Sequence, residues 1–391
     1  MKAKVNSIRL KYQGEHMKSN DNKVEVPIRV LHVFGALNPG GVETLVLNVY
    51  RCIDRSKIQF DFALTQGVKS LFDDEVLEMG GRPFYFDQNR SIDSNLSDIL
   101  ENYGPFQAVH SHIYFYSGII LRNAARHGVP VRIAHAHNTS FGQIYTWKRK
   151  AYEWLMRRLI LHYSTVLLGC STDACEYVFG SGCMDDPRCS ILYNGFDVNA
   201  FRFCEEDRNK IRQEYNLTNS LVVGHVGRFE DQKNHMQLVE QFAALHKIQP
   251  DTMLLLVGRG SLIDTVRQKC ETLGIKDFVV FAGAQKKPAP YLSAMDVFLF
   301  PSLYEGLGSA LIEAQANGLY VITSADVVPA DINVTGNAVF IPLTETPEVW
   351  AQEIQSHFGR KNPDIANSKV AEKYEIRVVM KKLASIYSSQ Q

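Results

Sequence analysis

The residues best suited to chemistry lie at positions 300–314, which read FPSLYEGLGSALIEA. Glu305 falls in the loop after a predicted strand, and positions 306–308 place two glycines at the start of a predicted helix. Glu313 lies about two turns inside that helix, among apolar residues, where a carboxylate needs hydrogen-bond donors. Two carboxylates for hydroxyl groups and helix-start amides for a diphosphate suit a nucleotide sugar. The alternative is that these acids only form structural ion pairs.

A second loop offers two cations after a predicted strand, in the sequence GRFEDQKN at positions 227–234. Arg228 can form a fork of hydrogen bonds to phosphate oxygens, and Lys233 can add a mobile point charge. The pair therefore favours the binding of one anion at a strand-to-helix turn. The alternative is a solvated loop in which Glu230 and Asp231 neutralise the two cations.

A third loop, GALNPGG at positions 35–41, follows the first predicted strand and precedes a helix with Glu43 in its first turn. Gly40 and Gly41 let the backbone approach a ligand closely and expose N–H groups at a helix start. The alternative is a tight turn that binds nothing. The loop is neither a GxGxxG dinucleotide fingerprint nor a Walker phosphate loop.

Histidines follow two predicted strands of the first half as His-x-His pairs, namely His110, His112, His135 and His137. This spacing can indicate a metal site, but here alternate residues leave a strand end, and no set of carboxylate or cysteine partners accompanies them. We expect hydrogen bonding in the core or the cleft rather than a zinc site.

The elements that position these residues alternate short β-branched runs with segments of helical period, which is typical of parallel sheets with crossover helices. Predicted strands lie at 28–34, 60–64, 107–110, 132–135 and 165–169, and then at 221–226, 253–257, 278–281, 297–300, 320–323 and 338–341. The pattern predicts two α/β sheets. Ligands of such sheets bind beyond the carboxyl ends of the strands, where the three loops lie.

The length of 391 residues is sufficient for two domains. We expect a disordered leader at 1–26, a first Rossmann-like domain at 27–198, a linker at 199–218 and a second Rossmann-like domain at 219–366. Apolar residues of helical spacing predict a C-terminal helix in 367–391.

Composition narrows the classes of function. The 42 Lys and Arg residues balance 42 Asp and Glu residues, so no net field favours nucleic acid. Seven cysteines without a CxxC pair predict a reduced intracellular protein rather than a disulfide framework. No apolar run approaches the ~18 residues that cross a bilayer, so we expect a cytoplasmic protein.

The motifs together resemble the retaining glycosyltransferases of family four. The residues that carry the resemblance are Gly40, Gly41, Arg228, Lys233, Glu305 and Glu313. Positions 300–318 and Trp350 resemble the bacterial branch that makes capsular and extracellular polysaccharide. The resemblance implies the α/β GT-B fold, in which two Rossmann-like domains with parallel sheets face each other across a cleft. It also implies that the C-terminal helix packs back on the first domain.

The resemblance implies a division of roles between the domains. The first domain holds the acceptor, and the second holds a nucleotide-sugar donor, which we expect to be UDP-linked. The implied catalytic residues are Glu305, His137, Arg228 and Lys233. The implied donor-binding residues are Gly40, Gly41, Arg228, Lys233, Glu305, Gly306, Leu307, Gly308 and Glu313.

The implied reaction transfers a sugar, with retention at the anomeric carbon, to a hydroxyl of a growing, lipid-linked cell-surface or extracellular polysaccharide. Since no acid-flanked Asp-x-Asp motif occurs, we expect the cations and helix-start amides, not a divalent metal, to stabilise the leaving diphosphate. No cofactor is expected. Three positions depart from the branch pattern: Gly308 and Tyr320 replace prolines, and Arg259 replaces an aspartate.

Two other functions stay open at this point. A sugar-nucleotide 2-epimerase also uses two facing Rossmann-like domains. A degenerate transferase can bind a nucleotide sugar without turnover, as a partner in polysaccharide assembly. An NAD-dependent dehydrogenase is disfavoured because the GxGxxG motif and its ribose-binding acid are absent.

Positions 147–160 predict a helix that contacts an anionic membrane surface. Its cations are Lys148, Arg149, Lys150, Arg157 and Arg158, and its apolar stripe is Ala151, Tyr152, Leu155, Met156 and Leu159. Trp147 and Trp154 share the other face with most of the cations. Because tryptophan among lysine and arginine is typical of an interfacial helix, we expect peripheral attachment to the inner face of the cell membrane. The alternative is an ordinary amphipathic helix with a solvated basic face.

Overall fold

The computed structural model describes residues 26–38, 40–137, 146–305, 308–325, 327–360 and 362–389. The expected leader at 1–26 therefore lies outside the described residues except for Val26. All seven cysteines are described, and none of them forms a disulfide.

The first half of the described chain forms a seven-stranded parallel sheet in the order β3-β2-β1-β4-β5-β6-β7. Its strands are β1 (Ile28–Phe34), β2 (Ile58–Leu64), β3 (Arg82–Tyr85), β4 (Ala108–Ser111), β5 (Val131–Ala136), β6 (Val166–Gly169) and β7 (Cys189–Ile191). The sequence analysis predicts five of these strands and misses the two edge strands, β3 and β7. Both edge strands are too short to display alternation, and β3 contains Pro83.

Helices cover both faces of this first sheet. The helices of the first half are α1 (Gly41–Cys52), α2 (Asp73–Glu78), α3 (Ile92–Tyr103), α4 (Ser117–Arg126), α5 (Trp147–Tyr163) and α6 (Thr172–Phe179). Helices α3 to α6 contribute buried side chains such as Leu96, Ile120 and Met156 to the core on one face. The core on the other face takes Leu45 and Tyr50 from α1. The sheet is thus the middle layer of three.

The second half forms a six-stranded parallel sheet in the order β10-β9-β8-β11-β12-β13 within the described residues. Its strands are β8 (Leu221–Val226), β9 (Thr252–Val257), β10 (Val279–Gly283), β11 (Val297–Phe300), β12 (Val321–Ser324) and β13 (Ala338–Ile341). All six were predicted to within about two residues, the precision normal for element boundaries. The prediction of two parallel α/β sheets is therefore confirmed.

The remaining helices are α7 (Glu205–Glu214), α8 (His235–Ile248), α9 (Ile263–Thr272), α10 (Ala289–Ala294), α11 (Ser309–Ala316), α12 (Pro347–Ser356), α13 (Pro363–Tyr374) and α14 (Ile376–Ser388). Helices α8, α9 and α12 pack on one face of the second sheet, with Trp350 of α12 fully buried. Helices α7, α10, α11 and α13 pack on the other. Within the described ranges, no helix combines the length and the apolar character needed to span a bilayer.

The segment 199–218, which we expect to be a linker, contains α7 and belongs to the second domain's packing. Arg208 and Arg212 of α7 form ion pairs of 2.6 and 2.5 Å with the Asp296 carboxylate, just before β11. The same carboxylate accepts a 2.8 Å hydrogen bond from the backbone N–H of Val222 in β8. The sequence pattern does not predict α7, because the helix is strongly polar and ion pairs rather than an apolar stripe hold it on the sheet.

The C-terminal tail is two helices rather than the one helix that we expect. Val370 and Tyr374 of α13 are buried in the second domain's core. Glu375 has an extended conformation that ends α13. Helix α14 then buries Leu383 and Tyr387 in the first domain's core. The expectation that the C-terminal helix packs back on the first domain is therefore wrong for α13, which packs on the second domain. It is confirmed for α14, which packs on the first domain.

We predict that α14 contributes to the stability of the first domain. Leu383 is 1% exposed and Val378, on the same helix, is 47% exposed. Leu383→Ala should lower the free energy of unfolding by about 2–5 kcal/mol, the usual cost of such a cavity. Val378→Ala should change it by less than about 0.5 kcal/mol. Denaturant unfolding measures both, and equal effects of the two substitutions would contradict this packing.

Candidate functional site

The candidate site in the second domain lies where the strand order of its sheet reverses. Strands β8 and β11 are neighbours, and the chain leaves them toward opposite edges of the sheet. Loops at such a switch point diverge and leave a crevice beyond the carboxyl ends of the strands. Residues 227–234 follow β8 and residues 301–308 follow β11. The topology therefore brings the two motifs predicted to be functional to one place.

An ion pair joins the two loops. Lys233 Nζ lies 2.5 Å from Glu305 Oε1, and the side chains are 14% and 6% exposed. The ammonium group also lies 4.4 Å from the centre of the Phe300 ring, in cation–π geometry. The backbone N–H of Leu303 donates to the Gln232 carbonyl at 2.9 Å, which ties the loops a second time. The structural ion pair that the sequence left as an alternative is therefore present for Glu305.

The other two acids of the β8 loop do not neutralise Lys233. The Glu230 carboxylate instead accepts hydrogen bonds from the Ser261 hydroxyl and backbone N–H, at 2.9 and 3.2 Å. These hydrogen bonds lower the pKa of Glu230. Arg228 is exposed at the same strand end. Glu230 thus does not pair with Lys233. The charge of Arg228 also lowers the pKa of Glu230, so the alternative in which loop acids neutralise loop cations keeps its support for Arg228.

The loop after β9 packs tightly against the β8 loop. The Arg259 carbonyl accepts a 3.0 Å hydrogen bond from the Phe229 N–H. A side chain at Gly258, whose φ is +154°, would place its Cβ atom 1.8 Å from the Gly227 carbonyl oxygen. Because only glycine fits there, the exposed Arg259 is held beside the Arg228 loop. Arg259 thus adds a third cation to this edge of the sheet.

The structure explains one departure from the branch pattern and locates another. Gly308 precedes α11 with φ +70° and ψ 53°, a left-handed conformation that proline cannot adopt. Gly306 and Leu307 lie outside the described residues. Tyr320 precedes β12, and its carbonyl accepts from the Phe298 N–H at 2.9 Å. Tyr320 therefore lies at the end of the sheet opposite the loops.

Glu313 lies on α11 and differs from Glu305 in having no cation. Among the described residues, no side chain forms an ion pair or hydrogen bond with its carboxylate. The side chain keeps partial contact with solvent, yet the protein surrounds it, and this desolvation raises the pKa of Glu313 to about 8. The carboxyl group can consequently accept hydrogen bonds from a ligand or, when protonated, donate one to it.

The glycine loop of the first domain begins α1. Gly40 is its N-cap residue, and a Cβ atom on Gly40 would lie 2.3 Å from the Glu43 carboxylate. A Cβ atom on Gly41 would lie 3.9 Å from Asn194 Nδ2. Burial raises the pKa of Glu43. A side chain at Gly40 would require the Glu43 carboxylate to move, so the tight-turn alternative keeps its support. Both glycines lie at the carboxyl end of β1.

The histidines form a larger cluster than the sequence analysis finds. His32 of β1 joins His110, His112, His135 and His137, and all five are buried. Two hydrogen-bonded chains run through the cluster, His32 to His112 to His137 and Tyr387 to His110 to His135. The sequence does not indicate that His32 belongs to this cluster. His32 lies beside His110 of β4 in the sheet, and only the strand order shows that β1 and β4 are neighbours.

The five histidines are neutral in the folded protein. Burial lowers the pKa of His32 and of His137 to about 3. Burial together with neighbouring imidazoles lowers the pKa of the other three well below its usual value. Two sets of three have ligand nitrogens within 4.8 Å of one another. Neither set includes a carboxylate or a thiolate, and 3.0–3.1 Å contacts already pair the imidazoles as expected for hydrogen bonds. This donor set fits hydrogen bonding better than a divalent metal.

A cavity of about 350 Å³ has walls from both domains. Asp173, in the first turn of α6, lines it from the first domain. The second domain contributes Ala325, Val327, Val328, Pro329, Ala330 and Phe340. Since α6 follows β6 and Ala325 follows β12, the carboxyl edges of the two sheets share this space.

We predict that Glu313 gives the ligand-free protein a pH-dependent stability. Its folded pKa of about 8 exceeds the ordinary glutamate pKa of 4.5, so the folded state holds a proton that the unfolded state releases. This contribution to stability is present below pH ~4.5 and is lost as pH rises to ~8, by up to about 1.4 kcal/mol per pH unit. Glu313→Gln removes the titration. Its melting temperature relative to the wild type should therefore rise between pH 5.5 and 8.

Thermal unfolding of the two proteins across this pH range tests the prediction. Glu271→Gln, which alters an exposed glutamate paired with Lys276, is the matched control. Parallel pH curves for the wild type and Glu313→Gln would contradict the desolvated state of Glu313.

Two family models together match most of the chain. One, described as "Glycosyltransferase Family 4", matches residues 39–200. The other, described as "Glycosyl transferases group 1", matches residues 207–362. The first match covers β2 to β7 and the second covers β8 to β13, and the gap at 201–206 ends in the first turn of α7.

Curated relatives cover nearly the whole chain. A protein of Bacillus subtilis (strain 168) named as the glycosyltransferase EpsF is 36% identical over 332 residues, 83% of this chain and 86% of EpsF. The capsular polysaccharide biosynthesis glycosyltransferase CapH of Staphylococcus aureus is 27% identical, over 93% of this chain and 99% of CapH. An Escherichia coli UDP-Gal:alpha-D-GlcNAc-diphosphoundecaprenol alpha-1,3-galactosyltransferase is 26% identical, over 82% of each chain.

A solved structure has the same architecture. The crystal structure of Anabaena Alr3699/HepE in complex with UDP superposes with a TM-score of 0.78 at 17% identity, covering 93% of this chain and 100% of that chain. At this identity the likeness speaks for the fold alone. With the family matches and the 36% identity to EpsF, it follows that this chain belongs to glycosyltransferase family 4 and has the GT-B fold.

Proposed function

We propose that this glycosyltransferase moves a sugar, with retention, from a UDP-linked donor to a hydroxyl of a growing, lipid-linked bacterial polysaccharide. The observation that carries the proposal is the Lys233–Glu305 pair at the switch point of the second sheet, with Arg228 exposed beside it. Capsular polysaccharide synthesis in the name of CapH and a diphosphoundecaprenol-linked acceptor in the name of the E. coli relative support the acceptor class. UDP in the HepE structure supports the nucleotide.

The diphosphate of the donor would bind at the cationic edge formed by the loops after β8 and β9. The pair with Glu305 holds the Lys233 cation in place before the ligand arrives, and the exposed Arg228 would fold over the phosphates. Both supply positive charge where the leaving group becomes more negative. Glu305, already oriented by Lys233, would accept hydrogen bonds from hydroxyls of the transferred sugar. Binding thus converts an internal ion pair into a network that includes the ligand.

The proposed chemical step needs no protein nucleophile. The bond between the anomeric carbon and the diphosphate oxygen breaks, and the acceptor hydroxyl oxygen bonds to the same face of that carbon. The acceptor's proton passes to the departing phosphate oxygen, and the nucleoside diphosphate leaves. Arg228 and Lys233 balance the charge, so the proposal includes no divalent metal and no cofactor.

Glu313 would bind the ribose of the donor. Its carboxyl group lacks a protein partner among the described residues and is desolvated, so two ribose hydroxyls can supply the missing hydrogen bonds. His137 would face the donor sugar from the first domain, and the Gly40–Gly41 amides at the start of α1 would approach the phosphates. The cavity between Asp173 and the loop after β12 is the proposed path for the acceptor.

Helix α5 supplies the proposed contact with an anionic membrane, through a face that differs in part from the predicted one. Its buried residues are Glu153, Met156 and Ile160, whereas Leu155 of the predicted stripe is 49% exposed. Trp147 and Trp154 are 75% and 56% exposed. The exposed face therefore combines apolar side chains with cations, and it carries no acid because Glu153 is buried and paired with Arg149.

Not all cations of α5 are available to lipid headgroups. Arg157 donates hydrogen bonds to the carbonyls of Val178 and Tyr177, at 3.0 and 2.8 Å, and so anchors α5 to α6. Lys148, Lys150 and Arg158 remain on the exposed face. Because α5 follows β5, its Trp147 end lies at the edge of the sheet that carries His137. A lipid-linked acceptor bound at that membrane would have its sugar near the cleft.

The test of the overall proposal is an assay with the purified chain, a panel of UDP-sugars and polyprenyl-diphosphate-linked acceptors. We expect one donor to give a glycosylated lipid whose new linkage has the anomeric configuration of the donor. Inverted configuration would contradict retention. Epimerised nucleotide sugar formed without an acceptor would identify an epimerase, and donor binding without turnover would identify a non-catalytic partner.

We predict that Glu305→Gln, Lys233→Gln and Glu313→Gln each lower kcat/KM by at least about tenfold. Loss of a hydrogen bond to the charged Lys233 or Glu305 costs about 1.5–3 kcal/mol. Glutamine at position 313 has only one acceptor oxygen, so it cannot accept hydrogen bonds from both ribose hydroxyls as a carboxylate can. Glu271→Gln is the matched control, because Glu271 forms a 2.5 Å pair with Lys276 that is 54% and 67% exposed. This exposed pair should contribute little, so the control should stay within about twofold of the wild type.

Near-native turnover by a folded Lys233→Gln protein would remove the central support of the site assignment. The same assay in excess EDTA should give an unchanged rate, because the side-chain cations supply the charge. A loss of turnover that Mg²⁺ restores would contradict the metal-independent step.

We predict that charge reversal on the exposed face of α5 abolishes binding to anionic vesicles. Lys148→Glu, Lys150→Glu and Arg158→Glu together remove three cations, each worth about 1 kcal/mol at best near such a surface. Vesicle binding at low salt should fall by at least about tenfold, since salt screens the attraction that remains. The matched control reverses three exposed lysines elsewhere, Lys286, Lys287 and Lys381.

Co-sedimentation with vesicles of anionic and of neutral lipid measures the effect. The control triple variant has the same net charge, so it should pellet like the wild type if α5 is the contact. Equal pelleting of both triple variants would show that net charge alone matters, and it would contradict a membrane contact through α5.

A further inference from the structure

The cavity shared by the two domains has walls of opposite character. Its volume of about 350 Å³ is at the small end of the range for small-molecule sites. The first domain contributes Asp173, which alone carries a charge among the described residues that line the cavity. The second domain contributes only hydrocarbon side chains, from Ala325, Val327, Val328, Pro329, Ala330 and Phe340. A ligand that fills this space therefore meets a carboxylate on one side and an apolar surface on the other.

The acidic wall is held at the start of α6. This helix begins three residues after the end of β6, so Asp173 lies just beyond the carboxyl edge of the first sheet. The Ser171 hydroxyl accepts a 3.2 Å hydrogen bond from the Ala174 N–H and fixes the first turn. The Asp173 side chain is exposed, and its carboxylate forms no ion pair or hydrogen bond within the described ranges. Two acceptor oxygens are thus available to a ligand at a fixed place.

The apolar wall is also anchored. The Ala325 N–H donates a 2.9 Å hydrogen bond to the Ile341 carbonyl, which joins the segment after β12 to the end of β13. Val328 and Ile332 of the same segment are 4% and 0% exposed and so fasten it to the second domain's core. Phe340 belongs to β13 itself. The wall is therefore part of the carboxyl edge of the second sheet.

The two walls discriminate between classes of ligand. A phosphate would find no cation among the described lining residues, and Asp173 would repel it. A hydrocarbon chain would take the Asp173 carboxylate out of water without giving it a hydrogen-bond donor, which is costly. A neutral sugar satisfies both walls, because its hydroxyls donate to a carboxylate and its C–H face buries apolar surface.

We propose that this cavity binds the terminal sugar of the acceptor and selects a neutral one, with Asp173 accepting hydrogen bonds from its hydroxyls and the wall after β12 covering its C–H face. That the bound sugar is an acceptor rests on the proposed function. The second domain then contributes to acceptor recognition, in addition to the donor role that the family resemblance implies. A terminal uronic acid would bring a second carboxylate into the cavity beside Asp173, and like-charge repulsion would exclude it.

A matched pair of acceptors tests this selectivity. The pair consists of the neutral acceptor that the wild type uses with the highest kcat/KM and the same compound with its terminal sugar oxidised to the uronic acid. We expect the wild type to prefer the neutral compound at least about tenfold in kcat/KM. A preference for the uronic acid, or equal use of both, would overturn the proposal.

Asp173→Asn retains the size of the side chain and removes its charge. We expect the KM for the neutral acceptor to rise at least about fivefold, because hydrogen bonds to a charged group are lost. The preference over the uronic acid should fall by a similar factor. The Kd for UDP, measured by calorimetry, should stay within about twofold of the wild type. An unchanged acceptor preference in this variant would contradict the role of Asp173.

Ala330→Lys tests the wall of the second domain. Because Ala330 is exposed, a lysine there should leave the core intact and place its ammonium group in the cavity opposite Asp173. We expect the KM for the acceptor to rise at least about tenfold, with UDP binding unchanged. An acceptor KM equal to that of the wild type would show that the acceptor does not touch this wall.

Two control substitutions lie outside the cavity's lining. Asp364→Asn alters a first-turn aspartate of α13 whose side chain is 84% exposed. Ala200→Lys adds a lysine at another exposed alanine. Both controls should keep the acceptor KM and the acceptor preference within about twofold of the wild type. Melting temperatures show whether every variant is folded.

Binding measured without turnover separates this inference from the transferase function. Saturation-transfer NMR with UDP present reports the binding of the free neutral and uronic glycosides. If the wild type binds the neutral glycoside, Asp173→Asn weakens that binding and no acceptor is turned over, the sugar site stands and the transferase function is refuted. If the wild type turns over both acceptors with equal kcat/KM, the transferase function stands and the proposed selectivity is refuted.

Discussion

The ion pair between Lys233 and Glu305 is the contact on which the second domain's candidate site depends. It joins the side chains of the loops after β8 and β11, which diverge where the strand order reverses and which a backbone hydrogen bond from Leu303 to Gln232 also ties. Removing two charges from water is costly, and a buried pair often contributes little net stability. The value of this pair therefore lies in orientation, because it fixes a cation and a carboxylate at the mouth of the crevice before any ligand binds.

The surroundings of that pair set the charge of the crevice. Lys233 is shared between Glu305 and the face of Phe300, while Arg228 and Arg259 are exposed on adjacent loops. Three cations therefore lie at this edge of the sheet, where they can meet the negative charge of a diphosphate. Glu313 is the exception to this pairing, and its raised pKa reports a carboxyl group kept without a cation. On the opposite side of the cleft, the first domain presents neutral imidazoles, so the cationic charge of the described site is concentrated on the second domain.

Much of this could be predicted from the sequence, and the misses have physical causes. Central strands were recognised because they are continuous apolar runs, whereas the edge strands β3 and β7 are short and partly polar. Local motifs identified Lys233 and Glu305 separately, but their contact spans 72 positions and requires the strand order. His32 was missed for the same reason. Helix α7 was mistaken for a linker because ion pairs hold it on the sheet. Leu155 was wrongly placed on the buried stripe, because its exposure depends on which neighbouring elements cover α5.

The proposed transferase depends most on the binding of the donor diphosphate at the Lys233–Glu305 pair. A crystal structure of the full chain with UDP tests it most directly. We expect diphosphate oxygens within hydrogen-bond distance of Lys233 Nζ and of the Arg228 guanidinium, with the ribose hydroxyls on the Glu313 carboxylate. UDP bound elsewhere, or a diphosphate out of reach of an unchanged Lys233–Glu305 pair, would contradict it.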